Sequence, residues 1–143
     1  MVSRCLSEGD LESLVELLTP ECLNEIKNNL SLFTLPQRSA LSVEKDDIYF
    51  SHTHQIGILM EDHPTEENQQ IRHVECTWVG HTFPNYQEIM DQCGGDPRKI
   101  KQVLNEKGGP IILNYRFIRE YTKGVEDSWT INAVNHFRLN DAD

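Results

Sequence analysis

An α+β fold, with N-terminal helices packed on a curved antiparallel sheet, is predicted by two features of this 143-residue chain. Apolar residues recur at helical spacing over about residues 8–43, and they alternate in runs of strand length over about residues 47–140. Helices that come first and strands that follow segregate into one layer each. An irregular or helical insert interrupts the sheet at about 83–109, and the length suits a single domain spanning 1–143. About five strands are expected, wrapping around the helices as an open cone with a groove or pocket at one end.

The helices are marked by caps and spacing. Leu11, Leu14, Val15 and Leu18 fall at i, i+3, i+4 and i+7 behind Asp10, which is placed as an N-cap. Thr19, Pro20 and Glu21 form a second helix start, and Leu23, Ile26 and Leu30 continue a buried face. The link containing Pro36 has room for one more helical turn.

Beyond it the period changes. Ile48 to Ser51 and Ile56 to Met60 read as two short strands joined near His52 to Gln55, and the polar stretch 61–70 reads as an exposed connection. In the next strand Val74, Cys76 and Trp78 share one face, while His73, Glu75, Thr77 and His81 share the other. Residues 97–109 suggest a short helix ended by Gly108 and Gly109. Two long runs follow. Ile111, Leu113, Tyr115 and Phe117 share a face of the first; Trp129, Ile131, Ala133, Phe137 and Leu139 are expected to share a face of the second. Gly124 permits the turn between them, and Asp127 and Ser128 are placed to bond its backbone.

Charge and cysteine usage narrow the function. With 23 Asp and Glu against 13 Lys and Arg, a net charge of -10, the surface repels a nucleic-acid backbone and anionic lipid alike, so no nucleic-acid partner is expected. A basic protein or peptide suits it better. Cys5, Cys22, Cys76 and Cys93 form no C-x-x-C pair and read as free thiols. Six carboxylates lie between residues 1 and 26 against Arg4 alone, whereas Arg98, Lys99, Lys101 and Lys107 make the one locally basic stretch.

Candidate chemistry is sparse. His52 and His54, with His73, His81 and Cys76, are the side chains a metal site would draw on, but two histidines supply half of a tetrahedral set and no recognised motif stands beside them. Asp47 and His136 are the pair a proton-transfer site would use, again without a catalytic motif. No catalytic, cofactor or metal residue is therefore expected, and the partner-binding residues are not identifiable from the sequence. Trp78, Tyr115, Phe117 and Trp129 read as core aromatics that could also line a pocket.

The segment YRFIREYTKGVEDSWTINAVNHFRL, residues 115–139, resembles the last hairpin of the mitochondrial m-AAA-protease-interacting family: a strand ending in an aromatic, a Lys-Gly turn, then an acid before Trp-Thr-Ile. LESLVELLTPECLNEIK is similar to that family's helical entry and KDDIYFSHTHQIGILM to its first hairpin. The family falls among domains resembling subunit 44 of the translocase of the inner membrane. The resemblance implies the cone-shaped fold of nuclear transport factor 2 type and a non-catalytic adaptor or chaperone-like module of the mitochondrial matrix, peripheral to the inner membrane, its targeting segment absent from this chain. The implied partners are the matrix AAA protease and an imported inner-membrane precursor, in support of assembly of the calcium uniporter's small regulatory subunit. The acidic charge suggests that the precursor's basic amphipathic targeting segment is what is bound. The alternatives are a ribosome- or inner-membrane-tethering module of the same superfamily and a pocket enzyme on the same cone.

Overall fold

The computed structural model describes residues 1–138. Leu139, expected on the inner face of the last strand, lies outside them. Helices α1 (Val2–Glu8), α2 (Leu11–Leu14), α3 (Pro20–Leu30) and α4 (Leu35–Ser39) precede a four-stranded antiparallel sheet in the order β1-β2-β3-β4. The strands are β1 (Ile48–Asp62), β2 (Gln70–Thr82), β3 (Ile111–Glu120) and β4 (Thr130–Arg138), with α5 (Tyr86–Gln92) and α6 (Pro97–Glu106) inserted between β2 and β3. The α+β class and the curved antiparallel sheet are as the sequence predicts.

Local chemistry sets the helix boundaries. Asp10 caps α2 by accepting from the Ser13 amide, Thr19 caps α3 by accepting from the Cys22 amide, and Thr34 with Gln37 closes a capping box on α4. Helix α1 was not expected: it spans barely two turns, and its signals are the Val2, Cys5, Leu6 spacing and Gly9, which ends it at φ 71°. Val15, expected on a buried stripe, is exposed because α2 stops at Leu14 and the chain leaves the helix. It then runs along β4, where the Ile131 amide donates to the Leu17 carbonyl at 2.8 Å and the Thr19 amide donates to the Ile131 carbonyl at 2.9 Å.

The sheet departs from expectation in two places. The segments 48–51 and 56–60 are one strand, so four strands replace about five. His52 to Gln55 are polar because they are exposed on an edge strand, not because the chain turns there. The turn lies at 63–69, where the His63 ring Nδ1 accepts from the amides of Thr65 (3.2 Å) and Glu66 (3.0 Å). In β4 a bulge follows Ile131, since Phe117 opposes Ile131 whereas Arg116 opposes Ala133. The extra residue reverses the alternation, so Ile131, Val134 and His136 face inward and Ala133 and Phe137 face outward. Trp129 precedes the strand, is 42% exposed and packs edge-on against Tyr121 instead of entering the core.

The main core joins Val2, Cys5 and Leu6 of α1, Leu14, Leu18, and Cys22, Ile26 and Leu30 of α3 to Leu113 and Tyr115 of β3 and Ile131 of β4. A second cluster, Phe83, Ile89 and Leu104, seats the α5–α6 insert, with Tyr49 stacked on Tyr86 at 4.3 Å. Gly108 and Gly109 end α6 region as expected, both at positive φ.

Candidate functional site

Between the helical layer and the inner face of the sheet lies an open cavity of about 640 Å³. Its sheet wall is formed by Cys76 and Trp78 of β2 with Tyr115 and Phe117 of β3; Val2, Leu17 and Val43 close the helical side. These sheet residues face one way because register pairs Trp78 with Tyr115 and Cys76 with Phe117. Gly80 shapes the wall: a Cβ there would lie 2.5 Å from the Trp78 indole, so glycine lets the ring lie along the strand. Trp78 meets Tyr115 edge-on at 6.0 Å.

Within this wall buried Tyr115 pairs with half-buried His136, the phenol oxygen 2.7 Å from Nε2 and the rings stacked at 5.5 Å. Burial raises the Tyr115 phenol and pushes His136 down to about 4, so the imidazole is neutral at physiological pH. The pair was missed in the sequence because straight alternation puts His136 on the outer face; the β4 bulge brings it in.

The other predicted side chains are dispersed. Asp47 accepts from the Asn85 amide at 3.1 Å beside β1, and β2 and β3 separate it from His136 on β4. The pair that a proton-transfer site would have used is therefore not assembled. His52 lies 6.4 Å from His81 between ring centroids on the outer face, His54 sits at the β1 bulge, and His73 approaches Glu120 at 3.9 Å. Cys76 lines the cavity on the opposite face. Among the described residues no group of three or more His, Cys, Asp or Glu side chains is arranged to hold a metal ion.

The cavity lining is apolar apart from Ser3, Lys45, Thr53, Cys76 and the Tyr115 hydroxyl, and it includes no carboxylate. It suits apolar side chains. Glu8, Glu12, Glu16, Glu21 and Glu25 are all exposed on the helical layer that closes the cavity, so the outer surface of that layer is acidic, while the charged side chain at the cavity itself is Lys45. Arg98, Lys99, Lys101 and Lys107 are exposed at the other core cluster.

m-AAA protease-interacting protein 1, mitochondrial, from Homo sapiens is 26% identical over 145 aligned positions, and its Rattus norvegicus counterpart is 25% identical over 138, each match covering 96% of this chain. The chain is similar to m-AAA protease-interacting protein 1 along nearly its whole length. It spans about half the length, 46%, of these curated relatives. Their name describes mitochondrial proteins that interact with a protease, not a reaction. No family model matches the chain, and no solved structure matches it. Among the described residues no helix is long and apolar enough to cross a membrane.

Proposed function

We propose that this chain is a single-domain, non-catalytic adaptor of the mitochondrial matrix that associates with the matrix AAA protease and holds the basic amphipathic targeting segment of an imported inner-membrane precursor. The calcium uniporter's small regulatory subunit is the precursor whose maturation and assembly it supports. The observation that carries the reading is the apolar cavity beneath an acidic helical surface: carboxylates steer a basic helix in, and apolar walls grip its other face. The relatives' name supplies the protease. A cone of nuclear transport factor 2 type accords with helices closing one face of a curved sheet. Against catalysis, Asp47 and His136 stand apart, and among the described residues the hydrogen bond of His136 is to Tyr115.

Titration with a fluorescent basic amphipathic peptide tests this. Saturable binding that weakens as salt rises, and exceeds that of a scrambled peptide of equal charge, is expected. Equal affinity for both peptides at every salt concentration would refute the reading. The four exposed cations of the α6 region favour a second reading, tethering to the ribosome or the inner-membrane surface; cosedimentation lost on neutralising Arg98, Lys99, Lys101 and Lys107 would establish it.

A further inference from the structure

We propose that the free edge of β1 is a strand-addition site, which takes an extended apolar segment of a partner polypeptide, flanked by lysine or arginine, as a fifth strand. This surface is distinct from the cavity. The sheet has two edges, and they differ. At β4 the chain at Leu17 and Thr19 already bonds both backbone groups of Ile131. β1 is 15 residues long and, among the described residues, pairs on one side only, with β2.

Edges of soluble proteins are ordinarily blunted by lysine, proline, bulges or a short strand. Residues 48–62 contain neither lysine nor proline. The two bulges both lie before Gln55, so Gln55–Asp62 runs in unbroken register against Thr77–Gln70. That stretch is apolar and open on both faces: Ile56 is 66% and Ile58 69% exposed on the cavity-facing side, and Leu59 is 46% exposed on the other. An added strand would gain backbone hydrogen bonds together with side-chain contacts on each face.

Charge selects the occupant. The β1–β2 hairpin carries Glu61, Asp62, Glu66 and Glu67 against one cation, Arg72, while its remaining carboxylate, Glu75, is paired with Arg116 of β3. A second copy of this chain would bring a further net charge of -10 to the contact, whereas a basic-flanked segment is attracted.

The probe is a fluorescein-labelled synthetic peptide with valine at alternate positions, threonine between them and two lysines at each end. Saturable binding to the intact protein is expected, with NMR amide shifts concentrated in residues 55–62. Methylating the backbone nitrogens on one edge of the peptide should weaken binding about tenfold or more, because each lost strand bond counts. The Ile56→Thr/Ile58→Thr protein keeps charge and strand propensity, so circular dichroism should match the parent while affinity falls about fivefold or more. Replacing the peptide lysines by glutamate should weaken binding by a similar factor. The proposal is overturned by no binding, by undiminished binding of the N-methylated peptide, or by shifts confined to the cavity. Self-association through β1, lost in the double variant and unaccompanied by peptide binding, would also overturn it and assign the edge to a second copy.

Discussion

Trp129 and Ile131 stand two positions apart, and one of them is core. Ile131 is buried between α3 and the sheet, so Ile131→Ala should cost about 2–5 kcal/mol in denaturant unfolding. Trp129 caps Tyr121 at the hairpin end, and Trp129→Ala should cost about 1 kcal/mol, the worth of an aromatic pair, not the 3–5 kcal/mol of a buried aromatic. His136 makes a pH prediction. Its folded pKa, about 4, lies below the ordinary value of 6.5, so the unfolded chain binds the proton more readily. The stability it contributes is complete above pH 6.5 and is lost as pH falls toward 4, about 3 kcal/mol in all. His136→Gln should flatten the unfolding free energy across that window relative to the parent, which separates this group from the many carboxylates.

The strands show what one added residue does. Deleting the alternation at Asn132 moves Val134 and His136 inward, and Asn132 itself is held on the outer face: its amide nitrogen donates to Glu75 at 2.8 Å and its oxygen accepts from the Arg116 Nε at 2.8 Å. Asn132→Leu removes both bonds and should destabilise by about 1–2 kcal/mol, with the loss largely absent when Glu75 and Arg116 are already replaced. On β2, Gly80→Ala forces the Trp78 indole aside and should cost about 1–3 kcal/mol, with a shift in tryptophan fluorescence reporting the altered cavity wall. Strand existence was readable from alternation, and helix starts were readable from Asp10, Thr19 and Pro20. Bulges are not readable: a single unpaired residue leaves no compositional mark, so simple alternation gives the wrong inner face for β4 beyond Ile131. β1 was divided for a related reason, since an exposed edge and a turn are both polar in sequence.

The molecule is acidic on its helical side, apolar within and basic along the α6 region. Salt should therefore weaken capture of a basic amphipathic peptide. Neutralising Arg98, Lys99, Lys101 and Lys107 should change that affinity by no more than about twofold, because those cations sit at the other core cluster. Helices before strands, the caps, the acidic balance and the likeness to the protease-interacting proteins were set by the sequence itself, because each is a property of neighbouring residues or of composition. The Tyr115–His136 pair, the cavity between the layers, the separation of Asp47 from His136 and the long open edge at β1 were decided only in three dimensions. Each depends on strand register and on which strand lies beside which, and those follow from the packing of segments far apart in the chain.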